Sequence, residues 1–111
     1  MSDLPFFSIN KKIIDSQSMG ADIVSEGVDI AELGGYCFHA IWTGTAPSGN
    51  IIIQVSNDNS NFVDMVTHDT EAQDGQLLLN VERAHYRYVR AFYDRTSGTG
   101  TLNSYISGKR V

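Results

Sequence analysis

Three histidines and one cysteine are the side chains best suited to chemistry, and none stands in a recognisable catalytic or metal-binding pattern. His39, His68 and His85 fall on separate predicted strands or at strand edges, and no His-x-x-x-His or Cys-x-x-Cys pair offers ligands to zinc. His68 precedes Asp69 and could be half of a triad, but no Gly-x-Ser-x-Gly elbow accompanies it. We therefore predict that the protein is not an enzyme and holds neither a metal nor a cofactor.

Two polar segments and the cysteine also have structural explanations. The segment 97–100 is glycine-rich but leads into a predicted strand, without the helix and lysine of a phosphate-binding loop, so we predict a hairpin loop. The segment 57–61 is rich in oxygen ligands but lacks the spacing of a calcium loop, which predicts a turn. Cys37 has no partner for an internal disulfide, and its apolar neighbours predict a small buried core residue.

The charge and hydropathy of the chain argue against nucleic acids and membranes as partners. The formal net charge is −5 at pH 7, whereas nucleic-acid-binding domains present basic surfaces. No stretch approaches the roughly 20 apolar residues of a transmembrane helix, and the N-terminal residues lack the segments of a secretory signal. We expect a soluble protein that is made in a reducing cytoplasm.

Short β-prone segments recur about every ten residues with turn residues between them, which is typical of a sandwich or barrel. We predict an all-β, single-domain, two-sheet antiparallel β-sandwich (jelly roll) with about eight or nine short strands. The predicted strands are 12–16, 20–24, 27–32, 36–42, 51–56, 62–67, 76–81, 86–93 and 101–107. The segments 43–50 and 97–100 are predicted to be loops. The sandwich domain is expected to span 13–111, after an N-terminal apolar arm, 1–12.

Two predicted strands also indicate which side chains are buried. The largely apolar run 51–55 predicts a central strand that is buried on both faces. In the tyrosine-rich strand, alternation places Val89 and Ala91 in the core. Tyr88 and Arg90 then point outward, and an exposed tyrosine beside an arginine is typical of binding surfaces. The alternative is a cross-strand pair that only stiffens the sheet.

The N-terminal segment contains an apolar patch that is a candidate partner-binding arm. Proline fixes an extended backbone and removes a hydrogen-bond donor, so the segment is predicted to be an edge strand or a free arm. Its two adjacent phenylalanines either close one end of the domain's own core or dock on another chain, and the sequence leaves both open. The candidate partner-binding residues are Leu4, Pro5, Phe6, Phe7, Ile9, Tyr88 and Arg90.

Aromatic side chains support a second hypothesis, a lectin-like module that binds carbohydrate. The rings on which sugars could stack are those of Trp42, Tyr88, Tyr93 and Tyr105. Trp42 has a simpler interpretation as well, because a lone tryptophan in a small sandwich is commonly the centre of its core.

Three segments, 51–58, 86–93 and 98–109, carry a resemblance to a known family. They read Ile-Ile-Ile-Gln-Val-Ser-Asn-Asp, Tyr-Arg-Tyr-Val-Arg-Ala-Phe-Tyr and Gly-Thr-Gly-Thr-Leu-Asn-Ser-Tyr-Ile-Ser-Gly-Lys. The chain resembles small β-sandwich proteins of tailed phages and, more distantly, discoidin-type or carbohydrate-binding jelly rolls. Its size, apolar arm and missing active site resemble those of the capsid decoration (cement or staple) proteins of epsilon-15-like short-tailed phages.

That resemblance implies a structural protein of the virion that lies on the outer surface of the phage head after synthesis in the host cytoplasm. It would bind the major capsid protein and hold neighbouring capsomers against the pressure of packaged DNA. The resemblance also implies a homo-oligomer, with a dimer favoured. A carbohydrate-binding β-sandwich module remains the alternative.

Overall fold

The computed structural model describes residues 8–109, which form an antiparallel sheet of seven strands and contain no helix. The all-β prediction is therefore confirmed. None of the described residues forms a helix long and apolar enough to cross a membrane. The strands are β1 (Ser8–Ser18), β2 (Ile23–Val24), β3 (Val28–Asp29), β4 (Tyr36–Ser56), β5 (Val63–Asp69), β6 (Gly75–Val81) and β7 (Tyr88–Lys109).

Two long strands, β4 and β7, organise the sheet. They pair with each other from Cys37 opposite Ser107 to Ser56 opposite Tyr88. The first part of β4 also pairs with β6 and its second part with β5, while β7 pairs with β3 and β2 first and with β1 later. The sheet thus has two halves, which we call the β6 half-sheet (order β6-β4-β7-β1) and the β5 half-sheet (order β5-β4-β7, then β2 and β3).

The inner faces of the two half-sheets share one hydrophobic core. Phe38 and Ile106 from the β6 half-sheet and Ile53 and Val89 from the β5 half-sheet belong to the same buried cluster. Trp42 joins the halves directly, because its ring centroid lies 5.8 Å from that of His68 on β5. The Trp42 indole also donates a 2.8 Å hydrogen bond to the carbonyl of Gln73. The core position predicted for Trp42 is confirmed.

The prediction of loops at 43–50 and 97–100 is wrong, because both segments belong to strands and pair with each other. Gly44 lies opposite Gly100, and a Cβ atom on Gly44 would lie 2.3 Å from the Gly100 Cα atom. The glycines therefore allow two backbones to approach closely, and do not mark turns. Nine predicted strands become seven because β4 and β7 each unite two of them.

A β-bulge in β4 changes which of its residues face the core. The register against β7 shifts between Thr45 and Gly49, where Ala46 has a φ of 47°. Before the bulge, β4 buries even-numbered residues such as Phe38, and after it the core positions are odd-numbered. The bulge thus allows one strand to serve both half-sheets. Ile52 is buried although it lies outside the core cluster, whereas Gln54 on the same outer face is half-buried, so the prediction that 51–55 is buried on both faces is confirmed only in part.

The strand β1 crosses the predicted boundary between arm and domain. Its residues from Ser8 to Lys12 pair with β7 in the same ladder as the residues after them. Ile9 is half-buried and packs against the core. The predicted partner-binding residues Leu4, Pro5, Phe6 and Phe7 lie outside the described residues.

Candidate functional site

The outer face of the β6 half-sheet carries partly exposed apolar and aromatic side chains. His39 lies opposite Leu78 on one side and opposite Tyr105 on the other. The ring centroids of His39 and Tyr105 are 6.1 Å apart, and Leu78 is 63% exposed. Cys37 and Ile41 line the same shallow depression. We call these five residues the Tyr105 face.

Charged and polar side chains surround the Tyr105 face. The Lys12 ammonium lies 5.5 Å from the Tyr105 ring centroid and forms a 3.0 Å ion pair with Asp15. Hydrogen bonding to Lys12 lowers the pKa of Asp15. His39 Nε2 lies 3.1 Å from the side-chain oxygen of Gln76. The face is therefore an apolar centre with a polar rim, the arrangement that protein interfaces show.

The core position predicted for Cys37 is wrong. Cys37 is half-buried and lies on the outer face, because the core positions of this part of β4 are its even-numbered residues, such as Tyr36 and Phe38. Both faces of the strand carry apolar residues here, so hydrophobic neighbours did not distinguish the core face from the outer face.

The outer face of the β5 half-sheet carries Tyr88 and Arg90, while Val89 and Ala91 are buried in the core as predicted. The Arg90 side chain donates a 2.8 Å hydrogen bond to the Gln54 amide oxygen, and the Gln54 nitrogen donates a 2.8 Å bond to Asp64. These three side chains form a polar chain across three strands. The Arg90 guanidinium also lies 3.9 Å from the Phe62 ring centroid.

Tyr88 has a charged neighbour of its own on this face. The Arg87 guanidinium lies 5.3 Å from the Tyr88 ring centroid and forms a 3.0 Å ion pair with Asp29. The hydrogen bond from Arg87 lowers the pKa of Asp29. Tyr88 and Arg90 thus lie on one outward face, but cross-strand contacts hold Arg90 in place, as in the alternative that the sequence left open.

An apolar row runs beside these polar groups on the same outer face. Val24 lies opposite Phe92, and Phe92 lies opposite Ile52. Val24 is largely exposed and Phe92 is half-buried, whereas Ile52 is covered. The name Arg90 face is used below for this outer surface, whose members are Val24, Gln54, Phe62, Asp64, Tyr88, Arg90 and Phe92.

The four aromatic residues considered for sugar stacking do not form one platform. Trp42 and Tyr93 are buried in the core, which removes both from any exposed surface. Tyr88 and Tyr105 are half-buried, but they lie on the outer faces of different half-sheets. A sugar could therefore stack on one tyrosine at a time.

The polar segment 57–61 connects β4 and β5; its hydrogen bonds lie mostly within the segment or with Ser56, and the Asn57 side chain also accepts one from the Arg87 backbone. The Asp58 carboxylate accepts hydrogen bonds from the backbone and side chain of Asn61, the backbone of Ser60 and the hydroxyl of Ser56. These bonds, those from Asn61 foremost, lower the pKa of Asp58. Among residues 8–109, no group of three or more His, Cys, Asp or Glu side chains could hold a metal ion.

Leu78 is an exposed residue that the sequence reasoning missed, although the sequence contains a signal for it. It is the middle residue of three consecutive leucines in β6. Strand alternation groups Leu78 with Gln76 and Asn80, which are polar, and separates it from Leu77 and Leu79. The last two are half-buried and pack against the core.

Comparison with known proteins relates this chain to others by fold only. No family model and no curated protein matches the sequence. The structure is similar to the SPBc2 prophage-derived protein YomS, with a TM-score of 0.62 and 9% identity over 97% of this chain and 99% of that chain. It is also similar to the C-terminal CBM6 of LamC, a marine laminarinase from Zobellia galactanivorans, with a TM-score of 0.55 and 10% identity over 88% and 98% of the two chains. At such identities the similarity establishes an all-β fold that a prophage protein and a carbohydrate-binding module share.

Proposed function

We propose that this protein is a capsid decoration protein that binds the outer surface of a phage head and holds neighbouring major capsid proteins together. In this proposal the sheet is a two-sheet jelly roll, and the protein is made in the host cytoplasm and works on the virion. The similarity to a prophage-derived protein over nearly the full length of both chains supports a phage origin.

The observation that carries the proposal is the pair of outer faces on a thin body. The molecule measures 49 × 32 × 19 Å, and the two half-sheets share one core, so their outer faces point to opposite sides. Each face presents partly exposed apolar and aromatic side chains beside charged ones, as interfaces do. A protein that joins two neighbours needs two such surfaces, and identical weak contacts on a lattice sum to high avidity.

Binding to heads assembled without this protein tests the proposal. The full chain is expected to sediment with undecorated heads and to raise the temperature at which they break. Tyr105→Ala and Tyr88→Ala each remove a ring from one face and are expected to weaken binding at least about tenfold, since interface tyrosines are frequent hot spots. Val63→Ala is the matched control, because Val63 is exposed but belongs to neither face.

The arm is tested by deleting residues 1–7, since residues 8–12 belong to β1 and their removal would damage the sheet. Loss of head binding with an unchanged fold would assign part of the contact to Leu4, Pro5, Phe6 and Phe7. Unchanged binding would refute a role for the arm. Failure of the full chain to bind heads would refute the proposed function.

The second candidate function is carbohydrate binding, which the similarity to the CBM6 of LamC favours. Tyr105 beside His39 is the aromatic surface most suited to it, because a half-exposed ring there adjoins a hydrogen-bonding partner. Binding on a glycan array that Tyr105→Ala abolishes would support this function. A chain that binds heads and no glycan would exclude it.

A further inference from the structure

Three of the four edges of the sheet in residues 8–109 carry features that hinder pairing with another chain. Natural edge strands are protected by charges, by bulges or by shortness. In β1, Lys11, Lys12 and Asp15 are charged, and the register shifts twice. In β5, Asp64 and Asp69 are charged, and the register shifts once. The strands β2 and β3, on the remaining edge, have only two residues each.

The fourth edge, β6, lacks all of these protections. It pairs with β4 from Val81 opposite Tyr36 to Gly75 opposite Trp42, without a register shift. Its seven residues, Gly-Gln-Leu-Leu-Leu-Asn-Val, include no charge and no proline. No other strand within the described range pairs with its outer side. The strand therefore offers a regular row of backbone donors and acceptors, with Leu78 63% exposed at its centre.

We propose that β6 pairs antiparallel with β6 of a second copy of this chain, about a two-fold axis at Leu78. Full overlap of two such strands places Leu78 opposite its own copy, Leu77 opposite Leu79, and Gln76 opposite Asn80. Every facing pair is apolar with apolar or amide with amide, so the strand is complementary to itself, as a two-fold interface requires. The two β6 half-sheets then form one continuous sheet, and the Tyr105 faces become neighbours on it.

A second copy is favoured over a charged partner because β6 has no charge with which to select one. Pairing would cover the apolar surface that the monomer leaves open, namely exposed Leu78 and the half-buried Leu77 and Leu79. The interface is confined to one strand and its side chains, which places it at the small and weak end of specific interfaces. We therefore expect monomers and dimers to exchange at micromolar concentration.

The residues that flank β6 give the pairing a recognisable dependence on salt. In the same register Asp74 of one copy lies opposite Glu82 of the other, at both ends of the paired strands. Like charges directly opposite each other weaken strand pairing, and salt screens exposed charges. Dimerisation is therefore expected to strengthen with added salt. Glu82→Lys places a cation opposite Asp74 and is expected to strengthen dimerisation at low salt.

Sedimentation equilibrium on the full chain, from about 1 to about 200 μM, tests the proposal over the micromolar range. Leu78→Lys puts two ammonium groups at the two-fold axis and is expected to weaken dimerisation at least about tenfold. Val63→Lys is the matched control, because Val63 is 64% exposed and also lies on an edge strand. Circular dichroism confirms that both variants are folded.

A disulfide reports the register directly. Facing residues in an antiparallel pair have Cα atoms about 4.5 to 5.5 Å apart, which a disulfide can bridge. With Cys37 replaced by serine, Leu78→Cys is expected to form a covalent dimer on oxidation, whereas Val63→Cys is not.

A chain that stays monomeric at all concentrations would overturn the proposal. Equal weakening of dimerisation by Leu78→Lys and by Val63→Lys would also overturn it. The same holds for a dimer that survives Leu78→Lys but is lost when residues 1–7 are deleted. The inference does not rest on head binding: a dimer that binds no head refutes only the proposed function, and a head-binding monomer refutes only the pairing of β6.

Discussion

Replacing Gly98 by alanine tests the close approach of β4 and β7 at the bulge. Gly98 has a φ of +81° and lies on β7 beside the bulged residue Ala46. A Cβ atom at Gly98 would lie 1.9 Å from the carbonyl oxygen of Ala46 and 3.0 Å from that of Thr45. Both are backbone atoms, so neither can rotate away as the end of a flexible side chain would.

The expected loss of stability has two contributions. The left-handed backbone conformation costs a non-glycine residue about 1 to 2 kcal/mol. Forcing a methyl group against fixed atoms costs about 1 to 3 kcal/mol more. Gly98→Ala is therefore expected to lower the free energy of unfolding by about 2 to 5 kcal/mol. In an open hairpin loop, which is what the sequence predicts for 97–100, only the first contribution would remain.

Urea unfolding followed by the fluorescence of Trp42 measures the loss, because this single tryptophan is buried in the core. Gly20→Ala is the matched control, since a Cβ atom there would meet only the Ser18 hydroxyl, at 3.3 Å. Its expected effect is within about 1 kcal/mol of zero. A loss for Gly98→Ala of no more than about 1 to 2 kcal/mol, which the left-handed conformation alone would cause, would refute the close approach.

Two further predictions concern stability. Hydrogen bonds from Asn61 and from Arg87 lower the folded-state pKa values of Asp58 and Asp29 respectively. The stability that these two carboxylates add is therefore complete above the unfolded pKa of about 4 and is lost as the pH falls below it. The urea midpoint of unfolding should stay constant from about pH 6 to 5 and fall below about pH 4, and a midpoint unchanged at about pH 3 would contradict this. The Ser104 hydroxyl is fully buried and has no hydrogen-bond partner. Ser104→Ala is therefore expected to leave the stability in thermal unfolding unchanged or to raise it by about 1 kcal/mol. A clear loss of stability would show that the hydroxyl makes a hydrogen bond after all.

The sequence predicted the strand class and the core positions of Val89 and Ala91, because alternation depends only on neighbouring residues. Val89 and Ala91 are buried and Tyr88 and Arg90 point outward for that reason. The strand boundaries at 43–50 and 97–100 could not be predicted in this way. Glycine and proline occur in turns and in bulges alike. Only the pairing of the two distant segments shows that the glycines and proline here lie at a bulge and not in loops.

The contacts at the surface depend on pairings that a single sequence does not contain. Arg90 is held by Gln54, which is 36 positions away, and Gln54 by Asp64. Cys37 was misplaced because the apolar residues of its strand segment occupy both faces, so alternation alone did not decide which face meets the core. Leu78 could have been found, since its neighbours of the same parity in β6 are polar.

The order of the strands along the chain has a consequence for synthesis on the ribosome. Among the strands of residues 8–109, β7 is synthesised after the other six, yet it is the sole pairing partner of β1, β2 and β3 there. The core therefore cannot cover Ile14, Ile23 and Ile30 until residues 88–109 have emerged, and these side chains stay exposed to solvent until then. We expect the core to form only after β7 has emerged from the ribosome, at a rate limited by these long-range pairings, and the unpaired strands to be prone to bind chaperones until then.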